Sequence, residues 1–126
     1  MISHITFSSI PVTDLDRAKA FWTDIMGFEE TYDAMPFPEM RWIMLTPPGA
    51  QTAIQLDKVE TLPETDMPAL PLIAHNVAAT VDTLRAKDIE ILSEPGPAPW
   101  DDATTMATRS ESTRLNSSHV KRSRMP

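Results

Sequence analysis

Residues 2–12 are rich in β-branched side chains and alternate along the chain. Ile5, Phe7 and Ser9 fall on one face, and His4, Thr6 and Ser8 on the other. A period of two predicts a strand. Thr13 or Asp14 then offers a helix N-cap. Leu15, Ala18, Phe21, Trp22 and Ile25 follow at helical spacing, and Gly27 supplies a C-terminal stop, so a helix is predicted between cap and glycine. Residues 28–33 read as a short strand. Residues 34–38 hold two prolines and read as a loop. Residues 39–46 predict a strand with Met40, Trp42 and Met44 opposite Arg41, Ile43 and Leu45. After the Pro47-Pro48-Gly49 turn, residues 51–57 predict another strand, with Ala53 and Gln55 sharing a face.

The pattern then starts again. Residues 58–68 are polar and proline-bearing and read as a linker, and residues 69–75 predict a strand ending at a second N-cap, Asn76. Val77, Val81 and Leu84 give one face of a helix that ends near Lys87-Asp88. Residues 89–93 predict a strand, residues 94–99 a proline-rich loop closed by Trp100, and residues 102–108 the start of a further strand. Asp14 and Asn76 lie 62 positions apart, and Phe28 and Ile89 lie 61 apart. The expectation is an α+β fold of two βαβββ modules, at 1–57 and 69–108, the second truncated before its last strand.

With 126 residues, 41% hydrophobic and 23% charged, the chain suits one globular domain. No apolar run reaches the roughly 18–20 residues of a membrane span, and no basic-then-apolar signal pattern opens the chain, so a cytoplasmic location is expected. Zero cysteines exclude disulfides, thiolate metal sites and a cysteine nucleophile. Three scattered glycines exclude the Walker and dinucleotide phosphate loops. Ser8, Ser9 and Ser93 lack a glycine-framed elbow and a histidine-acid pair, and Glu29-Glu30 face opposite sides of a strand, so no catalytic constellation is assigned.

The net charge of −7 conceals a split. Residues 1–108 carry six basic and seventeen acidic side chains, whereas residues 109–126 carry five basic groups and Glu111 alone. An acidic domain repels phosphate backbones, so neither nucleic acid nor a membrane is expected as partner, and a neutral or cationic small molecule suits it better. The basic tail resembles a translated short-read sequencing adapter. Residues 112–119 are what AGC ACA CGT CTG AAC TCC AGT CAC encodes, residues 109–111 fit AGA TCG GAA with one base dropped, and residues 123–126 fit TCT CGT ATG CCG. Residues 109–126 are therefore expected to be a non-native, disordered tail.

The repeated architecture, together with VTDLDRAKAFWTDIMGFEE at residues 12–30, resembles the vicinal oxygen chelate superfamily of glyoxalase I, bleomycin-resistance proteins, fosfomycin-resistance enzymes and extradiol dioxygenases. The matching features are the acidic cap Asp14, the aromatic pair Phe21-Trp22 and Gly27-Phe28, with RWIMLTPPGAQTAIQL at residues 41–56 resembling the third and fourth strands of a glyoxalase- or bleomycin-resistance-like subgroup. The resemblance implies two half-barrels and, in metal-dependent members, a divalent ion held by His, Gln or Glu from the first and fourth strands of each module. Carried onto this chain, those positions fall on Phe7, Gln55, a point near Ala69 and Pro71, and a point beyond Thr108. One neutral amide cannot hold a catalytic ion. His4 points away from the Phe7 face, His75 sits at a strand-helix junction, and His119 lies in the tail, so none is taken as a ligand.

The resemblance then implies metal-independent binding of a small molecule in a half-barrel cleft, with no cofactor and as a homodimer. Gln55, Trp42, Trp100 and Ser9 are the pocket candidates. The alternatives are a divalent-metal-dependent lyase or dioxygenase of the same superfamily, and a truncated fragment without function.

Overall fold

In the computed structural model the described residues are 1–63, 70–113 and 122–125. They fall in two compact units, Met1–Leu62 and Pro63–Pro126. Both mix strands with few helices, as an α+β chain does. Among the described residues no helix is long and apolar enough to cross a membrane.

The first unit contains β1 (Phe7–Val12), α1 (Leu15–Ala20), β2 (Glu29–Phe37), β3 (Met40–Thr46) and β4 (Ala53–Lys58). The sheet order is β1-β4-β3-β2, with β1 parallel to β4 and the other pairs antiparallel. Alternation puts Ile10, Val12, Ile43, Leu45, Ile54 and Leu56 on one face, and all six are buried. Phe21, Trp22 and Phe28 complete this core, their rings meeting at centroid distances of 5.4 and 5.0 Å.

The expected single helix is α-helical only as far as Ala20. Phe21–Ile25 widens into a π-helical turn, in which the Met26 N–H donates to Phe21 O at 3.1 Å. More residues per turn narrow the angle between neighbours, so two consecutive aromatic side chains both reach the core. Gly27 then takes φ +78°, and the Phe28 N–H donates to Trp22 O at 2.9 Å, closing the helix and aiming the chain into β2.

The second unit holds α2 (Val77–Ala86), β5 (Ile89–Ala98), β6 (Asp101–Thr113) and β7 (Arg122–Met125), with antiparallel order β5-β6-β7. Val77, Val81 and Leu84 form the buried stripe of α2, and Ile89, Ala98, Ala107 and Arg109 are buried in the strands.

Four expectations need correction. Residues 34–37 continue β2 instead of looping, and residues 94–98 continue β5. Both strands are sheet edges, the place where a sheet tolerates proline because a residue there can turn its missing N–H away from the ladder. Register shifts in both ladders absorb the irregularity. Within the predicted strand at 69–75, the described residues 70–75 form only an isolated bridge at Pro71, a residue without an N–H to extend a ladder; Ala69 lies outside the described residues.

The fourth correction concerns the tail. β6 does not stop at Thr108 but runs to Thr113, pairing Arg109 with Ile91 and Thr113 with Ile89, and β7 adds a further strand at 122–125. Strand β5 otherwise lacks a partner along its first half, and an unpaired edge is costly when one face is apolar. The second unit thus has three strands in antiparallel sequence after its helix. Residues 114–121 and 126, including His119, lie outside the described residues.

Candidate functional site

The first unit's sheet has a second face, opposite the core, and the strand register fixes which side chains share it. Ser9 pairs with Gln55, Gln55 with Met44 and Met44 with Tyr32. Paired residues project on the same side, so these four form one row across all four strands. Phe7 and Trp42 belong to the same face, and their rings meet edge to face at a centroid distance of 5.7 Å.

At one end of this row lies a pocket of about 460 Å³ walled by Thr31, Tyr32, Pro36, Phe37, Trp42 and Met44. Its walls are apolar. Tyr32 and Phe37 remain well exposed and Trp42 is half-buried, so aromatic surface is offered to solvent in a concave setting. The Thr31 hydroxyl is turned to the sheet, donating to Met44 O at 3.2 Å and lying 3.0 Å from the Thr46 hydroxyl.

At the other end is the polar pair. The Ser9 hydroxyl donates to Gln55 Oε1 at 2.8 Å, and Gln55 Nε2 donates to Leu56 O at 2.9 Å. Gln55 is only 7% exposed, and these bonds satisfy both ends of its buried amide. Three of the four pocket candidates, Ser9, Gln55 and Trp42, therefore share one sheet face. Trp100 belongs to the second unit, in the turn between β5 and β6, and is exposed. Tyr32, Phe37 and Met44 had no place among the sequence candidates. Met44 could have been found, because it alternates with Trp42; Phe37 was hidden by the two prolines that read as a loop.

Of the positions aligned with metal ligands, Phe7 presents a ring without a lone pair, and Gln55 presents one neutral oxygen already bonded to Ser9. These side chains do not fit a divalent ion. His4 is exposed and its Nδ1 lies 2.8 Å from the Ser3 hydroxyl, and His75 is exposed. Among the described residues no cluster of three or more His, Cys, Asp or Glu is placed to hold a metal.

The core-facing side carries the unit's strongest electrostatics. Arg41 grips Asp33 with Nε at 2.9 Å and Nη2 at 2.8 Å, and its Nη1 reaches Asp16 at 2.6 Å. Lys19 adds a bond to Asp33 at 2.7 Å and an ion pair with Glu30. The Arg41 guanidinium, and then Lys19, hold the Asp33 carboxyl well below the usual carboxylate range. The same bonds push Lys19 and Arg41 up. This cluster ties α1 to β2 and β3 and braces the strands that wall the pocket.

Known proteins share this architecture. The structure of a glyoxalase/bleomycin resistance protein/dioxygenase superfamily member from Sphaerobacter thermophilus DSM 20745 matches with a TM-score of 0.82 and 23% identity, covering 98% of this chain and 96% of that one. TnmS3, an antibiotic binding protein from Streptomyces sp. CB03234, matches with a TM-score of 0.77 and 26% identity, over 98% and 94% of the two chains. YetH of Bacillus subtilis (strain 168) is 26% identical over 102 residues, 79% of this chain and 85% of that protein. The family model of the Glyoxalase/Bleomycin resistance protein/Dioxygenase superfamily matches residues 1–113, and the chain belongs to that superfamily.

Proposed function

We propose that the protein binds a small, flat, largely apolar molecule on the open face of the β1-β4-β3-β2 sheet, without a metal ion. The observation that carries this reading is the aromatic pocket under Tyr32, Phe37 and Trp42, with Phe7 standing where a ligating side chain would be needed. Apolar concavities with a few placed polar groups are the usual form of small-molecule sites. The acidic composition of residues 1–108 favours neutral or cationic ligands over anions. The likeness to TnmS3, an antibiotic binding protein, supports the same class of ligand.

Calorimetry of the full chain against flat aromatic antibiotics tests this reading. Saturable binding that survives a chelator and weakens at least about tenfold in Trp42→Ala is expected, the size set by loss of one well-buried aromatic contact. No heat at millimolar ligand, or binding that a chelator abolishes, would overturn it.

A further inference from the structure

The hydrogen bonds of Gln55 have a direction, and the direction has a chemical consequence. Leu56 O can only accept, so the end of the Gln55 amide lying 2.9 Å from it must be the nitrogen. Turning the amide over would set two carbonyl oxygens against each other in a buried site. The other end, facing Ser9 at 2.8 Å, is therefore the amide oxygen, which also only accepts. A serine hydroxyl has one proton, and here it is spent inward.

What Ser9 shows to the outside is then a pair of lone pairs. Ser9 is exposed while Gln55 behind it is buried, so the acceptor end of the relay is the end that a ligand can touch. Bonds that run in one direction also polarise one another, which strengthens the outer oxygen as an acceptor. The pocket offers little competition, because the Thr31 hydroxyl is turned to strand β3.

Resting on the pocket reading above, we infer that the Ser9–Gln55 relay makes this site select ligands that carry a hydrogen-bond donor roughly 10 Å from their apolar body. That spacing is two strand separations of about 4.8 Å, from Met44 on β3 across β4 to Ser9 on β1. A hydroxyl, amide N–H or protonated amine completes the relay. An ether or carbonyl at the same point meets lone pair with lone pair and loses its water without replacement.

The test compares 4-(2-phenylethyl)phenol, whose hydroxyl stands at the required distance from the centre of its far ring, with its methyl ether by equilibrium dialysis against the full chain. The phenol is expected to bind about tenfold more tightly, the cost of one unsatisfied polar group. Ser9→Ala should bring the two affinities within about twofold, by weakening the phenol and relieving the ether of the lone pairs that faced it. Gln55→Leu releases the Ser9 proton, so there the ether should gain. Equal affinities for the original chain, or a preference that persists in Ser9→Ala, would overturn donor selection alone. Failure of both probes to bind would overturn the pocket reading, and this inference with it.

Discussion

Asp14 and Asn76, 62 positions apart, cap their helices in the same way: the side-chain oxygen of each accepts the N–H three residues on, from Arg17 at 3.1 Å and from Ala79 at 2.9 Å. Both have extended backbone angles, as N-caps do. Asp14→Ala and Asn76→Ala should each lower stability by about 1 kcal/mol, while Asp14→Asn and Asn76→Asp keep most of it. Denaturant midpoints at constant slope measure this. An alanine variant as stable as the parent at either position would show that the cap bond contributes nothing there.

The helix exits repeat as well. Gly27 and Asp88 both take left-handed backbone angles, φ +78° and +61°, immediately before the chain enters β2 and β5. Glycine meets no steric cost there and aspartate does. Asp88→Gly is therefore expected to raise the thermal midpoint slightly, by about 0.5 kcal/mol of stability, and Gly27→Ala to lower stability by about 1 kcal/mol. The opposite sign at Asp88 would mean that its side chain contributes more than the strain costs.

Asp33 makes stability depend on acid. Its carboxyl is held below the ordinary value of 3.8, so the folded state binds its proton less readily than the unfolded chain. The resulting stabilisation is fully present above about pH 4 and is lost as the pH falls below it, toward the depressed folded value. Asp33→Asn should cost about 2 kcal/mol at neutral pH, and should flatten the loss of stability between about pH 4 and pH 2. Urea melts at several pH values would show it; parallel curves for parent and variant would contradict it.

The extent of β6 predicts the effect of shortening the chain. Cutting after Thr108 removes the partners of Ile89 and Ile91 and the whole β6–β7 ladder. The thermal midpoint should fall by about 5 °C or more, whereas cutting after Thr113 should cost less, since β5 keeps its partners. A chain ending at Thr108 that melts at the parent's temperature would mean that residues 109–113 carry no stability.

Several of these features are legible in the sequence because they are local. A cap acts within three residues, a left-handed helix exit within one, and the faces of a strand follow from alternation alone. The caps Asp14 and Asn76, the stop at Gly27 and the buried set Ile43, Leu45, Ile54 and Leu56 all belong to this class, as does the helix-then-strand order in each unit. Alternation within β1, β3 and β4 likewise places Ser9, Trp42 and Gln55 opposite the core residues of their strands.

Contacts between distant residues and choices set by strand order needed the tertiary structure. Ser9 and Gln55 are 46 residues apart, and only the parallel pairing of β1 with β4 brings hydroxyl and amide together. Whether a proline ends a strand depends on whether the strand is an edge, so 34–37 and 94–98 read as loops until the sheet order was known. With that order Phe37 becomes a pocket wall. The Asp33 cluster joins a helix to two strands and has no signature in any one segment. Residues 109–126 resemble a translated adapter, yet the backbone of 109–113 pairs with β5, because an N–H and a C=O serve a strand in need of a partner whatever side chains they carry.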